Sequence, residues 1–444
     1  MYSAEVNDVL AKKGINPGGK IRVERGKDTF DGILMPRPDA GDTNILVIKL
    51  SNGYNIGLDF KSISSIKSLG TSAEAFSFPK SKLHSKKGLN TVKLLYTGGT
   101  IGSKIDYATG GVYMLTKPEE LLHDVPEIAE IANIDVEYLM SVASEDMTYT
   151  EWQTMARKSA EAFKSGAHGV VITHGTDTMH FTSAALSFML QNLPGPVALV
   201  GSQRSSDRGS SDAFMNLICS THIAAQSDIA EVGTCMHASS SDDYCAFIRG
   251  TKVRKLHTSA RDAFKPVNGA PLAKINAEGK LHRLSEYTRA DNNRKPVLRD
   301  GYEPKVAMLY MYPNSDPKLI DYYINNGYKG IILASTGLGH MPITTSHNEY
   351  NWLQHLKDAI GSGMIVGITS QCIFGRVSGT VYRYGRIITN AGAIYCEDMT
   401  SETAYVKLGW LLGNYTKKEA EKMLATNLVG EITKRTEAEW FDEV

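Results

Sequence analysis

The sequence has few cysteines and lacks the usual cysteine and histidine motifs. Only five cysteines occur among 444 residues, none of them spaced C-x-x-C, and the 12 histidines form no H-E-x-x-H motif. We therefore expect neither a disulfide framework nor a zinc site, and we assign no metal ligands. This cysteine usage is typical of a reduced compartment, so the predicted location is the cytoplasm.

Net charge and long apolar runs are also missing. Lys+Arg and Asp+Glu both number 48, so the formal net charge is zero. A dedicated nucleic-acid binder usually carries a basic excess, so any RNA is expected to be held mainly by a partner or a local patch. No apolar run is long enough for a membrane-spanning helix. Glu5, Asn7 and Asp8 near the N-terminus are atypical of a signal peptide.

The first 76 residues differ in pattern from the rest. Four short runs typical of strands occur there, at 20–24, 29–35, 44–50 and 55–58. Turn residues separate them, among them Asn52-Gly53, a pair typical of hairpins. Short strands at this spacing predict a small SH3-like β-barrel over residues 1–76. The Lys- and Ser-rich residues 77–90 predict an exposed linker.

From residue 91 onward, apolar strand-like runs alternate with helical segments. Strands are predicted at 92–96, 169–173, 197–200, 306–310, 330–334 and 364–369, and helices at 152–163, 183–192, 212–226, 318–326 and 348–360. This alternation predicts parallel sheets with helices on both faces and ligands at the carboxyl ends of the strands. Because the pattern lapses between 276 and 305, we predict a larger α/β domain at 91–290 and a smaller one at 305–444.

The helix predicted over 152–163 has a recognisable start. Thr150 and Gln153 are spaced as a capping box, in which each side chain bonds to the other residue's backbone N–H. We therefore predict that Thr150 caps this helix.

The loop after the first core strand carries a hydroxyl followed by glycines. Thr97 leaves the strand end, and Gly98 and Gly99 let the backbone turn tightly behind it. Exposed amides in such a turn are able to hold an oxyanion. A plain turn or a phosphate-binding loop are the alternatives, although the Gly-Lys-Ser/Thr of a P-loop does not follow.

Two further segments add polar side chains. The loop at 173–178 reads THGTDT, so Thr176 and Asp177 emerge together from a strand end, with helix capping as the alternative role. The segment 250–257 is basic, and a solvated face is its plainest interpretation. One of its lysines, placed against a Thr hydroxyl and a buried Asp177, would help to activate that hydroxyl or a water. No G-x-S-x-G motif supports a serine mechanism.

Together, these segments resemble the L-asparaginase/glutaminase family. TGGTIG at 97–102 and THGTDTM at 173–179 are similar to its signatures, and RKLHTSARDAFKPVN at 254–268 resembles its third catalytic segment. The resemblance implies an asparaginase-like core of two parallel-sheet α/β units behind the small β-barrel. It also implies that Thr97 is the nucleophile and that Thr176, Asp177 and Lys255 form a second catalytic group.

The same resemblance implies further site residues. Backbone N–H groups near Gly98 and Thr176 would hold the oxyanion. The residues implied for substrate binding are Ser144, Glu145 and Gly175. Glu145 stands where many members of the family carry Gln. The family also has a flap tyrosine, for which Tyr107 and Tyr113 both lie in the right loop, and the spacing does not choose between them.

One branch of the family is similar to the whole chain. Residues 34–57, 201–216 and 370–377 resemble the D subunits of archaeal glutamyl-tRNA(Gln) amidotransferases. This implies a glutaminase subunit whose ammonia passes through a tunnel to a partner subunit holding Glu-tRNA(Gln). ATP and Mg²⁺ are then expected at the partner, and no cofactor in this chain. It further implies a homodimer core with one partner on each copy, a heterotetramer.

Two other functions remain open at this point. A free-standing cytosolic L-asparaginase would have no need of the N-terminal barrel. A non-catalytic scaffold subunit would have no need of the four catalytic side chains at positions 97, 176, 177 and 255.

Overall fold

Three larger sheets, of five, eight and four strands, follow one another along the described part of the chain. The computed structural model describes residues 2–36, 42–52, 54–71, 86–105, 112–114, 125–206 and 208–442. In this part of the chain, no helix is long and apolar enough to cross a membrane. The predicted linker at 77–90 lies mostly outside the described residues, which resume at residue 86.

The N-terminal unit is a small antiparallel β domain, as the strand spacing predicted. Its elements are α1 (Ala4–Lys12), β1 (Gly19–Arg25), β2 (Asp28–Leu34), β3 (Ile45–Leu50), β4 (Asn55–Asp59) and β5 (Ser65–Thr71). The sheet order is β4-β3-β2-β1-β5. Alternating side chains such as Ile21 and Val23 form a core against Val6 and Leu10 of α1. The sequence did not predict α1 or β5.

The large α/β unit continues the chain as far as β19. Its strands are β6 (Thr91–Tyr96), β7 (Ser103–Ile105), β8 (Val112–Met114), β9 (Asn133–Tyr138), β10 (Gly169–Thr173), β11 (Leu190–Gln191), β12 (Val197–Val200), β13 (Val232–His237), β14 (Cys245–Arg249), β15 (Val253–Lys255), β16 (Phe264–Pro266), β17 (Ala273–Ile275), β18 (Leu281–Arg283) and β19 (Val297–Leu298). Its helices are α2 (Ile128–Ile131), α3 (Tyr149–Lys164), α4 (Met179–Met189) and α5 (Ala213–Gln226).

The main sheet of this unit has the order β18-β17-β14-β13-β12-β10-β6-β9. From β9 to β13 every pairing is parallel, as predicted, and β10, β12 and β13 of this half are fully buried. The sheet then continues through three antiparallel strands, β14, β17 and β18, which the sequence did not predict. In parallel strands the carboxyl ends lie at one edge, so the loops after β6 and β10 leave the sheet side by side.

The start of α3 differs from the prediction. The helix begins at Tyr149 and is capped by Thr148, whose side chain forms a capping box with Glu151. Thr148 has an extended backbone, with φ −119° and ψ −176°, which is the conformation that an N-cap residue adopts. Thr150 already lies inside the first turn, so the predicted Thr150–Gln153 box is wrong by two residues.

The smaller α/β unit has a four-stranded parallel sheet. Its strands are β20 (Val306–Tyr310), β21 (Gly330–Ser335), β22 (Ile365–Ser370) and β23 (Ile394–Tyr395), and its helices are α6 (Lys318–Asn325), α7 (Trp352–Gly361), α8 (Arg383–Asn390), α9 (Ser401–Asn414), α10 (Lys417–Leu424) and α11 (Glu439–Asp442). Helix α9 packs on α4 of the large unit, with the rings of Trp410 and Phe188 stacked at 5.4 Å. The two units therefore share one hydrophobic core.

Candidate active site

Thr97 is buried at the point where β6 ends. Tyr96 lies opposite Thr173 in the parallel register of β6 and β10, which brings Thr97 beside the start of the THGTDT loop. The Thr97 hydroxyl donates to the Thr173 carbonyl oxygen at 2.5 Å, and the Thr97 N–H donates to the Thr173 hydroxyl at 3.2 Å. The side chain is fully buried. These contacts fix the backbone and the hydroxyl of the predicted nucleophile.

The glycines after Thr97 are required by the geometry of the loop. Gly98 and Gly99 have φ values of 103° and 87°, which side chains other than hydrogen rarely permit. A Cβ atom on Gly99 would lie 2.5 Å from the carbonyl carbon of His174. The two strand-end loops therefore touch backbone to backbone, and their amides lie at the same edge of the sheet.

Lys255 joins the second loop from a separate hairpin. Its Nζ lies 2.8 Å from the Thr176 hydroxyl oxygen and 2.8 Å from Oδ1 of Asp177. The Lys255 and Thr176 side chains are both largely buried, so their hydrogen bond is shielded from water. The structure thus brings together three of the predicted residues. Because Lys255 also pairs with Phe264 across the hairpin, its backbone is held in extended form.

Asp177 is exposed, so the expectation that it is buried is wrong. Its side chain is 65% accessible, against 9% for Lys255. The buried strand β10 ends at Thr173, and the polar loop that follows carries Asp177 out to the surface before α4 begins. An exposed carboxylate is only weakly held by its ion pair and stays free to bind a second cation.

Two histidines next to this group, the buried His174 and the half-buried His180, were not assigned from the sequence. Burial lowers the pKa of His174 to about 4. Its Nδ1 lies 2.6 Å from the Gly175 carbonyl oxygen, so Nδ1 carries the proton of the neutral ring. Burial, with the charges of Arg254 and Lys255, lowers the pKa of His180 to about 3. Both rings are therefore neutral at pH 7. The sequence signal that could have identified them was their position: His174 directly follows a strand, and His180 lies in the first turn of a helix.

Of the predicted substrate-binding residues, Gly175 is part of the THGTDT loop and Ser144 packs against that loop. Ser144 is buried, and its carbonyl accepts a 2.6 Å hydrogen bond from the Thr178 hydroxyl. A Cβ atom on Gly175 would lie 2.8 Å from the Ser144 hydroxyl oxygen, so these two residues are in direct contact. Glu145 is exposed, at 3.5 Å from the same hydroxyl.

The flap tyrosine stays undecided. Tyr107 lies outside the described residues, and for Tyr113 the structure describes only the backbone, in β8. The choice between Tyr107 and Tyr113 therefore remains open.

The loop after β12 also reaches this site, which the sequence did not indicate. A Cβ atom on Gly201 would lie 3.0 Å from Cγ2 of Thr176. Asp212 holds the loop by accepting the backbone N–H groups of Gln203 at 3.0 Å and Arg204 at 3.1 Å. Ser202 is fully buried, and its hydroxyl has no hydrogen-bond partner in the described part of the chain. Among the described residues, no three His, Cys, Asp or Glu side chains are grouped as metal ligands.

Comparison with family models divides the chain in the same way as its sheets. Residues 15–69 match the model described as "GatD N-terminal domain", residues 91–287 match "Asparaginase, N-terminal", and residues 305–424 match "Glutaminase/Asparaginase C-terminal domain". The first model covers the small β domain, and the other two cover the two α/β units.

Curated relatives match the chain from end to end. It is 47% identical to the D subunit of the glutamyl-tRNA(Gln) amidotransferase of Pyrococcus furiosus, over 98% of this chain and 99% of the relative. Its identity to the corresponding D subunit of Thermococcus kodakarensis is 46%, with the same coverage.

Solved structures match the two α/β units. The thermostable L-asparaginase of T. kodakarensis has a TM-score of 0.68 at 29% identity, over 77% of this chain and 99% of that one. L-asparaginase I of Vibrio cholerae has the same TM-score at 30% identity, over 78% of this chain and 99% of that one. These matches confirm the asparaginase-like fold of the core. Because it is 46–47% identical to such subunits over 98% of its length, the chain belongs to the family of glutamyl-tRNA(Gln) amidotransferase D subunits.

Proposed function

We propose that this chain is the glutaminase subunit of a tRNA-dependent amidotransferase. It releases ammonia from glutamine so that a partner subunit converts Glu-tRNA(Gln) to Gln-tRNA(Gln). The observation that carries the proposal is the placement of the Lys255 ammonium 2.8 Å from both Thr176 and Asp177. This group lies beside the buried Thr97, in a chain similar along its whole length to amidotransferase D subunits.

Thr97 is proposed as the nucleophile. Its Oγ attacks the side-chain carbonyl carbon of glutamine, and backbone N–H groups near Gly98 and Thr176 stabilise the oxyanion. The loss of one such donor typically costs about 10²–10³ in rate. The C–N bond then breaks, the nitrogen takes the proton that the Thr97 hydroxyl gave up and leaves as ammonia, and an acyl ester remains on Thr97. A Thr hydroxyl is almost fully protonated at neutral pH, so this step requires a base that accepts its proton.

The second catalytic group is proposed to act on the ester. Water, activated through Thr176 and Lys255, attacks the acyl carbon, and glutamate leaves as Thr97 regains its proton. Lys255 suits this role because its Nζ donates to the Thr176 oxygen in a site shielded from bulk water. The histidines at 174 and 180 stay neutral, so neither adds to the positive charge that Lys255 brings to Thr176.

The exposed Asp177 is proposed to bind the α-ammonium of the substrate. It keeps accessible carboxylate surface while it orients Lys255. Ser144, Glu145 and Gly175 are proposed to complete the contacts with the amino-acid head of glutamine. A site that hydrogen-bonds this head discriminates against analogues that lack it, because its own polar groups would be left unpaired.

The ammonia is proposed to reach the partner subunit through a tunnel. That partner would hold the tRNA and would bind the ATP and Mg²⁺ that activate the glutamyl group. The zero net charge of this chain is in keeping with the tRNA being held mainly by the partner. A homodimer core with one partner on each copy is the proposed assembly, and a cytoplasmic location stays a prediction.

One assay separates this function from the second candidate. Similarity to L-asparaginase structures over about three quarters of the chain makes asparagine hydrolysis the alternative. Ammonia release from glutamine and from asparagine is measured with the chain alone and with partner plus Glu-tRNA(Gln). Glutamine turnover that rises strongly in the full mixture supports the proposal. Rapid asparagine turnover by the lone chain, unchanged by tRNA, would establish an asparaginase instead. No turnover under any condition would indicate a scaffold.

A further inference from the structure

Lys255 lies on a hairpin that stands apart from the main sheet. Strands β15 and β16 form a two-stranded sheet of their own, joined by three residue pairs. An isolated hairpin of this size is marginally stable at best. The position of Lys255 therefore depends on what holds the hairpin from outside.

The base of the hairpin is attached to the smaller α/β unit. Just before β15, the Nζ of Lys252 lies 2.8 Å from Oδ2 of Asp398, and both residues are buried. Just after β16, the Asn268 amide donates to the carbonyl oxygens of Asp398 at 2.9 Å and Gly375 at 3.0 Å. The Gly375 N–H donates back to Asn268 at 2.8 Å. Both strands are thus tied to the segment that leads into α9.

A second attachment lies next to Lys255 itself. The Arg254 guanidinium is 2.8 Å from Oε1 of Glu402, a buried residue in the first turn of α9. The adjacent Thr403 hydroxyl donates to the Thr251 carbonyl at 3.1 Å. The start of α9 therefore contacts the lysine-bearing hairpin on two sides.

We propose that Asp398 and Glu402 are positioning residues for Lys255. The proposal rests on the catalytic role proposed for Lys255 above. Thr176 and Asp177 belong to the large unit, whereas Asp398 and Glu402, which hold the base of the hairpin and Arg254, belong to the small one. The loop of the hairpin is held by the large unit, where Arg261 lies 2.6 Å from Oδ1 of Asp242. A shift of the hairpin by about 1 Å would take Nζ out of hydrogen-bonding range of both oxygens. A change in how the small unit sits on the large one is thereby transmitted to Lys255.

Two variants and a matched control test this coupling. Glu402→Gln and Asp398→Asn remove one carboxylate each without changing side-chain size. Glu431→Gln is the control, because it also removes a buried carboxylate beside α9: Glu431 pairs with Lys407 at 2.6 Å and accepts the Leu428 N–H at 3.0 Å. Glutamine hydrolysis is measured with the full chain in its amidotransferase complex, as kcat, KM and a pH–rate profile, together with the melting temperature.

Misplacement of a catalytic group by about 1 Å can cost about 100-fold in rate. We therefore expect Glu402→Gln to lower kcat by about 10- to 100-fold, with KM changed by less than about threefold and the pH profile displaced. Glu431→Gln should lower the melting temperature and leave the kcat and the pH profile unchanged. If Asp398→Asn does not fold, Glu402→Gln alone carries the test.

The outcomes separate the inference from the proposed function. If Glu402→Gln loses stability but keeps the wild-type kcat and pH profile, as expected for the control, Glu402 is merely structural and the inference is wrong. Lys255→Met is measured alongside. Full turnover by Lys255→Met would overturn the proposed role of Lys255, whereas an inactive Lys255→Met with a normal Glu402→Gln would overturn only the positioning role.

Discussion

Lys255 and Thr176 are 79 positions apart in the sequence, yet the lysine Nζ donates to the threonine hydroxyl over 2.8 Å. The loop after β10 supplies the hydroxyl and a hairpin outside the main sheet supplies the ammonium. The same ammonium contacts Asp177 at 2.8 Å, so one side chain joins a buried hydroxyl to an exposed carboxylate. Turnover should therefore depend on where the hairpin places this ammonium.

Removal of the lysine charge should abolish most of the turnover. We expect Lys255→Met to lower the kcat for glutamine hydrolysis by about 10²–10⁴-fold, the usual contribution of a positioned proton-transfer group. Steady-state ammonia release measures the effect. Lys265→Met is the matched control, since Lys265 lies on the opposite strand and pairs with Asp262 at 2.9 Å. Equal losses in the two variants would mean that the hairpin, rather than the Lys255 ammonium, is responsible.

The role proposed for Asp177 is testable with a substrate analogue. Asp177→Asn should lower kcat/KM for glutamine by about 10- to 100-fold, because a hydrogen bond between charged groups contributes about 1.5–3 kcal/mol. Glutaramate, which is glutamine without its α-ammonium, should lose clearly less kcat/KM than glutamine in the variant, because it loses only the contribution that Asp177 makes by orienting Lys255. A variant that loses equally with both substrates would show that Asp177 does not contact the α-ammonium.

The backbone contact at Gly99 predicts a strict requirement for glycine. Gly99→Ala places a Cβ 2.5 Å from a carbonyl carbon of His174, at a φ of +87°. The Thr97 loop must then move, and we expect turnover to fall by more than about 100-fold. Gly361→Ala is the control, since its Cβ would meet no atom within 4 Å. Normal kinetics in Gly99→Ala would contradict this packing of the two loops.

Two histidines of the site predict how stability depends on pH. The pKa values of His174 and His180 are lowered from 6.5 to about 4 and about 3. Between pH 6.5 and 4 the unfolded chain therefore binds more protons than the folded one, and the free energy of unfolding falls as the pH falls. Each histidine contributes a slope of at most about 1.4 kcal/mol per pH unit.

Denaturant unfolding at several pH values measures this slope. In His180→Gln the free energy of unfolding should fall less steeply with decreasing pH than in the wild type, by the slope that one histidine contributes. His347→Gln, at a side chain that is 70% exposed, should show the wild-type slope. If His180→Gln and His347→Gln have the same slope, His180 is not held neutral in the folded protein.

The sequence predicts the part of the site that lies in loops directly after apolar strands, namely the loops of Thr97 and Thr176. The buried runs at β6 and β10 are long enough to identify, and their parallel pairing brings the loops of Thr97 and Thr176 to one edge. The prediction that Asp177 is buried was wrong because an apolar run does not show where the chain returns to the solvent-exposed surface. Strands β17 and β18 were missed because each has only three residues, too few for a periodic pattern.

The residues that hold the hairpin of Lys255 could not be predicted from the sequence. Lys252 and Asp398 are 146 positions apart, and neither carries a local signal of the buried pair they form. Strand β5 was missed because Ile66 is its one buried hydrophobic residue, while Leu69 is 46% exposed. The lysine itself was chosen among its neighbours through family resemblance, because charge and spacing leave Lys252 and Lys255 equivalent.

Thr97→Ala tests the central claim most directly. The complete amidotransferase, with Glu-tRNA(Gln), ATP and Mg²⁺, is assayed for Gln-tRNA(Gln) formation with glutamine or with free ammonium as the nitrogen donor. We predict that the variant loses amidation from glutamine and keeps wild-type amidation from ammonium, because only ammonia release requires the Thr97 hydroxyl. Unchanged amidation from glutamine, or equal loss with both donors, would contradict Thr97 as the nucleophile of a glutaminase subunit.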